Sequence, residues 1–267
     1  MLAQLALFKN RLSDSSAQRL FAKKDVAIRI LDTVIGNRHL HYAMTGSDTL
    51  PTLAFVHGSP GSWSNYRNYM WDDSLLAQFR VISVDRPGFG FSDFGAPLHL
   101  DSQARLLGTL FRHLQNGKAL ILCGHSMGAP VVVQIAIDDP DLVNKLVLVG
   151  APLDVRFERK ETWRHIMDVK PLYYALPGAF GPSNTELLYL KTDLLSLQSQ
   201  FQKIVCDVRF IHGTEDESVP IGSIDLAMAT MVNARSISVD TIPGAGHYIP
   251  WKNEVVFRQL LSKAAIR

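Results

Sequence analysis

The chain has 267 residues, 47% of them hydrophobic and 19% charged, with a formal net charge of +2. That composition supports a sizeable core and fits one α/β domain with an insertion. It shows no basic stripe of the kind a nucleic-acid-binding surface needs, and no segment of the length of a membrane span. Cys123 and Cys206 are too few for a disulfide framework, and neither stands at metal-ligand spacing from another Cys or a His. Cys123 reads as a small buried hydrophobe in a strand. The start, Met1 to Phe8, is apolar, but Lys9 and Arg11 follow the run, whereas a secretory signal carries its charge ahead of it. The expectation is a cytoplasmic protein whose residues 1–25 form a helical extension, packed or frayed, with a membrane-surface helix as the alternative.

Residues 27–31 and 38–44 flank the turn Ile35-Gly36-Asn37 and predict an antiparallel hairpin. Residues 52–56 predict a buried strand ending in His57-Gly58-Ser59-Pro60-Gly61-Ser62, an irregular loop with exposed backbone donors. A helix is expected over 66–79 and a strand over 80–84, followed by the loop Asp85-Arg86-Pro87-Gly88-Phe89-Gly90. Then come a helix over 102–114, a strand over 119–123, a helix over 129–138 and a strand over 145–149. Such alternation indicates a mostly parallel sheet with helices on both faces.

The alternation breaks from 151 to 203. Residues 158–168 read as a charged helix, 171–182 as a stretch broken by proline and glycine, and 184–200 as a helix capped by Ser183 or Asn184, with Glu186 in its first turn. An insertion here, after the sixth strand, is placed as a lid. A strand over 208–211, a helix over 224–232, a strand over 236–242 and a closing helix over 255–264 complete an eight-stranded α/β core, residues 26–150 and 204–267, around a lid of residues 151–203.

Between the strand over 119–123 and the helix over 129–138 lies Gly124-His125-Ser126-Met127-Gly128, a G-x-S-x-G sequence. A strand that turns directly into a helix around a serine is a nucleophile elbow. The turn is too sharp for side chains at the two glycines. It forces the serine into a strained conformation, with its Oγ at the tip and the helix N-terminus aimed at the reacting atoms. Two more chemically capable residues follow later strands: Asp216 after the seventh and His247 after the last. In a parallel sheet those loops gather on one edge.

These features resemble the serine-dependent α/β-hydrolases of the small, lid-bearing type, which include carboxylesterases, monoacylglycerol lipases, carbon–carbon bond hydrolases and cofactor-free haloperoxidases. The resemblance covers the chain after about residue 26. It rests on His57-Gly58-Ser59-Pro60-Gly61, Asp85-Arg86-Pro87-Gly88-Phe89-Gly90, Gly124-His125-Ser126-Met127-Gly128, His212-Gly213-Thr214-Glu215-Asp216 and Gly246-His247. It implies an α/β-hydrolase fold and a triad in chain order: Ser126 as nucleophile, Asp216 as acid and His247 as base. It implies backbone N–H groups of Met127 and Ser59 as the oxyanion hole, and neither a metal nor an organic cofactor. Glu215, Glu217 and Asp154 are the rival acids. His57 and His125 are expected to brace loops, His212 to be structural, and Asp85 and Arg86 to anchor the loop beside them. Trp63, Trp163, Tyr173 and Tyr248 are the expected substrate contacts.

The reaction implied is ester cleavage through an acyl-enzyme, on a small-molecule ester with a short or medium apolar acyl group. Carbon–carbon bond or amide cleavage with the same triad is the alternative. Relatives that open epoxides or remove halides use an aspartate where this chain has Ser126. Aminopeptidase relatives carry an acidic clamp for the amine, and this lid shows no clear one. From another class, an α/β-hydrolase-fold protein can bind a ligand with slow or no turnover.

Overall fold

The computed structural model describes residues 11–158, 161–170 and 172–264. The apolar run at residues 1–8 lies outside them. Eight strands form one sheet in the order β1-β2-β4-β3-β5-β6-β7-β8. They are β1 (Arg29–Ile35), β2 (Arg38–Thr45), β3 (Thr52–Val56), β4 (Arg80–Val84), β5 (Leu120–His125), β6 (Lys145–Val149), β7 (Asp207–Gly213) and β8 (Ser236–Ile242). β1 and β2 form the hairpin and β2 pairs antiparallel with β4, while every pairing from β4 to β8 is parallel.

The central strands are apolar on both faces, as strands covered on both sides must be. Their side chains alternate between two cores. Ala54, Val56, Leu122, Leu146 and Leu148 point into one, and Leu53, Phe55, Ile121, Cys123, Val147 and Val149 into the other. Helices α4 (Leu100–His113) and α5 (Gly128–Asp138) cover the first face. The second is covered by α1 (Asp14–Ala22), the short helices α2 (Arg67–Met70) and α3 (Asp73–Leu76), and the C-terminal helix α11 (Glu254–Ser262). No helix of the described residues is long and apolar enough to cross a membrane.

Between β6 and β7 lie α6 (Trp163–Met167), α7 (Leu172–Ala175) and α8 (Phe180–Gln198). Two short helices, α9 (Asp225–Thr230) and α10 (Ile249–Lys252), precede α11. The later turns of α8 belong to the main core, where Leu190, Leu194 and Leu197 are buried at helical spacing.

Three helices differ from the sequence expectation. The helix over 66–79 is broken into a 3-10 turn, α2 and α3, because the Asp72 side chain accepts the Leu75 N–H at 3.1 Å and starts a fresh helix. The charged helix over 158–168 shrinks to the five residues of α6. The helix over 184–200 begins a turn earlier, at Phe180. Pro182 is compatible with that start, since N–H groups of a first turn have no intrahelical partner. Ser183 and Asn184 are therefore not caps. They are buried inside α8, where Ser183 Oγ accepts from Ser59 Oγ at 2.9 Å and Asn184 Nδ2 donates to the Arg164 carbonyl at 2.9 Å.

Candidate active site

The order in which strands are added to the sheet reverses at β3, with β4 on one side of it and β5 on the other, and β3 pairs parallel with β5 with Val56 opposite Gly124. The loops after these strands therefore meet at a topological switch point. Ser126 sits there with φ 51°, a left-handed conformation that a non-glycine residue holds only under constraint. The constraint is steric. A Cβ at Gly128 would stand 2.1 Å from the Val56 carbonyl oxygen, and one at Gly124 would stand 2.5 Å from the Gly128 carbonyl oxygen. Only glycines let α5 start this close to β3. Ser126 thus lies at the start of α5, with the positive end of the helix dipole beside it.

His247 follows β8, and its Nδ1–H donates to Asp216 Oδ2 at 2.8 Å. A carboxylate can only accept, so this bond leaves Nε2 as the basic nitrogen. Asp216 is buried after β7, and its other oxygen accepts the N–H groups of Ser218 at 3.0 Å and Val219 at 2.8 Å. Burial works against the Asp216 charge. The bond from His247, the Val219 N–H and the nearby imidazoles outweigh it and hold the carboxyl below its ordinary range.

The rival acids stand elsewhere. Asp154 is buried but is clasped by Arg156, whose Nε lies 2.8 Å from Oδ2. Glu215 and Glu217 are exposed.

The other histidines brace the site. His125 Nε2–H donates to the His247 carbonyl at 2.9 Å, and burial pushes His125 down to about 3, so it is neutral. His57 Nε2 accepts the Arg86 N–H at 3.0 Å, which leaves Nδ1–H to donate to the Gly58 carbonyl at 2.7 Å. His212 Nε2–H donates to the Val219 carbonyl at 2.8 Å and so shapes the turn that carries Asp216.

Ser126 and His247 line two cavities, one of about 590 Å³ and one of about 260 Å³. Ser59 and Tyr248 are shared by both, and Met127 lines the larger. The larger cavity has Leu187 and Leu190 of α8 on one side and a polar rim of Glu158, Glu161, Arg164, His165 and Lys191. The smaller is walled by Pro60, Asn65 and Trp251.

The model of the alpha/beta hydrolase fold matches residues 51–176. The chain is similar to epoxide hydrolase 1 of Caenorhabditis elegans, at 30% identity over 126 residues, which is 45% of this chain and 30% of that one. It is also similar to a 2-hydroxy-6-oxononadienedioate/2-hydroxy-6-oxononatrienedioate hydrolase of Burkholderia vietnamiensis, at 38% identity over 116 residues, 42% of this chain and 39% of that one. The chain thus spans less than two fifths of the length of these curated relatives. Among solved structures, a bacterial membrane phospholipase A superposes with a TM-score of 0.70 at 17% identity, covering 93% of this chain and 89% of that one.

The chain has the α/β-hydrolase fold. Within this fold the structure brings Ser126, His247, Ser59, Met127 and Tyr248 to the lining of one cavity, with Asp216 behind His247. It does not bring the other three expected substrate contacts there. Trp63 is fully buried in the second core, where its backbone N–H donates to Asp85 Oδ1 at 2.7 Å. Trp163 is 47% exposed on α6, and Tyr173 packs its ring against Gly181 at the start of α8. Trp63 is held inward because the loop after β3 turns its backbone towards Asp85. Charged residues line the larger cavity together with the leucines of α8. A helical pattern spaces Glu161, Arg164 and His165 but does not reveal that they line the same cavity as Ser126.

Glu186, which the sequence pattern sets in the first turn of a helix, lies inside α8. It is 1% exposed and paired with Arg86, itself 0% exposed. A helix start moved back by one turn, with Pro182 inside it, is the one sequence signal that would have pointed to its burial.

Proposed function

We propose that this α/β-hydrolase cleaves a carboxylic ester through an acyl-enzyme. The observation that carries the reading is Ser126 at φ 51°, at the junction of two cavities and sharing both with an imidazole anchored to Asp216. His247 Nε2 takes the Ser126 proton as Oγ attacks the carbonyl carbon. Asp216 keeps the tautomer and stabilises the imidazolium. The N–H groups of Ser59 and Met127 receive the oxyanion, and His247 then protonates the departing alcohol. Water repeats the sequence and releases the acid. Oγ and Nε2 come to hydrogen-bond distance with substrate bound, as is usual for such pairs. The two cavities suit a two-part substrate, one part on each side of Ser126. The leucines of α8 suit an apolar group in the larger one.

The epoxide hydrolase likeness is weighed against Ser126, since epoxide opening in this fold uses an aspartate at the elbow. Carbon–carbon bond hydrolysis is the second reading. It is favoured by Arg164 and Lys191 in the cavity rim and by the likeness to a hydrolase of an oxo-diacid.

The test is turnover of p-nitrophenyl esters of increasing acyl length, with Ser126→Ala as control, beside the oxononadienedioate. Ester turnover abolished by Ser126→Ala supports the first reading, and turnover of the diacid alone supports the second. Failure of both, with no labelling of Ser126 by a fluorophosphonate, rejects the triad mechanism and favours a ligand-binding protein.

A further inference from the structure

We propose that Arg86 and Glu186 are positioning residues that orient the Gly58–Ser59 peptide, so that the insertion helix α8 sets the direction of an oxyanion donor. The proposal rests on the ester-hydrolase reading and concerns how that site is held ready.

Arg86 has five N–H donors in a fixed planar fork. All five are engaged. Nε donates to the His57 carbonyl at 2.8 Å, and Nη2 to the Gly58 carbonyl at 3.0 Å and to Glu186 Oε2 at 3.0 Å. Nη1 donates to Gln103 Oε1 at 2.8 Å and to Glu186 Oε1. Glu186 also accepts from Gln103 Nε2 at 2.8 Å, which ties the pair to α4. The guanidinium is therefore locked between α8, α4 and the loop after β3.

The Gly58 carbonyl and the Ser59 N–H belong to one rigid trans peptide and lie on its opposite edges. Pinning the carbonyl fixes the direction of the N–H. Two donors pin it, Arg86 Nη2 and His57 Nδ1. This peptide stands beside the nucleophile, since a Cβ on Gly58 would lie 3.1 Å from Ser126 Cβ. The cation on the carbonyl also polarises the peptide and makes its N–H a stronger donor.

A second tie comes from the same face of α8. Ser183, three residues before Glu186, accepts from Ser59 Oγ at 2.9 Å. A buried ion pair stabilises a fold little compared with apolar groups of the same volume. What it supplies that leucine and methionine cannot is a fixed direction for a dipole.

The test compares an oxyester with the matching thionoester, whose sulfur is a poor hydrogen-bond acceptor where the oxyanion forms. The wild type should prefer the oxyester strongly. Glu186→Gln should lower the oxyester kcat about 10- to 100-fold, part of the loss expected for one oxyanion donor. It should also lower the oxyester-to-thionoester rate ratio about tenfold or more. The double variant Arg86→Met/Glu186→Leu removes both charges and covers the case in which Glu186→Gln does not fold. It should show the same fall in ratio. A folded variant that loses rate on both substrates equally, with the ratio unchanged, overturns the proposal and leaves the pair a structural tie. A wild type with neither ester turnover nor fluorophosphonate labelling of Ser126 overturns the ester reading, and the strut then has no oxyanion donor to position.

Discussion

His247 Nδ1 lies 2.8 Å from Asp216 Oδ2, although the two residues follow different strands and are 31 residues apart. β7 and β8 are parallel neighbours, so their following loops leave the sheet side by side. Asp216 is the carboxylate that holds this imidazole. Asp216→Asn should lower kcat about 10³- to 10⁴-fold, because an amide can hold His247 in the wrong tautomer. Asp154→Asn should leave kcat within about threefold. Steady-state kinetics on the best p-nitrophenyl ester decides between them, and the reverse order would move the acid to the loop after β6.

The elbow tolerates no side chain at its second glycine. A Cβ on Gly128 would sit 2.1 Å from a backbone oxygen of Val56, which no flexible side chain can relieve. Gly128→Ala should cost about 3 kcal/mol of stability or more, read as a lowered urea midpoint. An unchanged midpoint would mean that β3 and α5 are farther apart than described.

His125 is neutral in the folded protein, pushed down to about 3 by burial and then by His247. In the unfolded chain a histidine takes up its proton near pH 6.5. Between those values the unfolded state binds the extra proton, so stability falls as pH falls. The window runs from about pH 6.5 downwards, with a slope of up to about 1.4 kcal/mol per pH unit from this one group. His125→Gln should flatten that part of the curve in denaturant titrations between pH 4 and pH 7. Equal slopes in both proteins would place the acid sensitivity on other groups.

Burial first, then Glu161, pushes the Glu158 carboxyl up to about 7, against the pull of Arg164. Glu158 lines the larger cavity. It therefore gains its charge as pH rises through about 7. KM for an ester carrying a carboxylate should rise roughly three- to tenfold between pH 6 and pH 8, from like-charge repulsion. Glu158→Gln should remove that rise. An uncharged ester serves as the reference, and a pH profile identical for both esters would take Glu158 away from the substrate.

Much of the site was legible in the sequence for local reasons. Gly124 and Gly128 flank Ser126 because steric exclusion acts over a few residues, and the apolar runs on either side record a strand and a helix. His57 and His125 were expected to brace loops, and Arg86 to anchor one; each makes such bonds. The substrate wall was not legible. An aromatic ring such as Trp63 serves a core as well as a pocket, and only packing distinguishes the two.

The sequence by itself determined the alternation of strands and helices, the elbow, and the order in which serine, aspartate and histidine follow their strands. These depend on periodicity and on backbone sterics, which each short stretch carries alone. The tertiary structure decided which carboxylate meets His247, that charged residues rim the larger cavity, and that Glu186 reaches Arg86 from 100 residues away. The first follows from the pairing of β7 with β8, and the last from where α8 docks against α4 and the loop after β3. Its docking is set by packing across the whole core, to which no single stretch of sequence gives a signal.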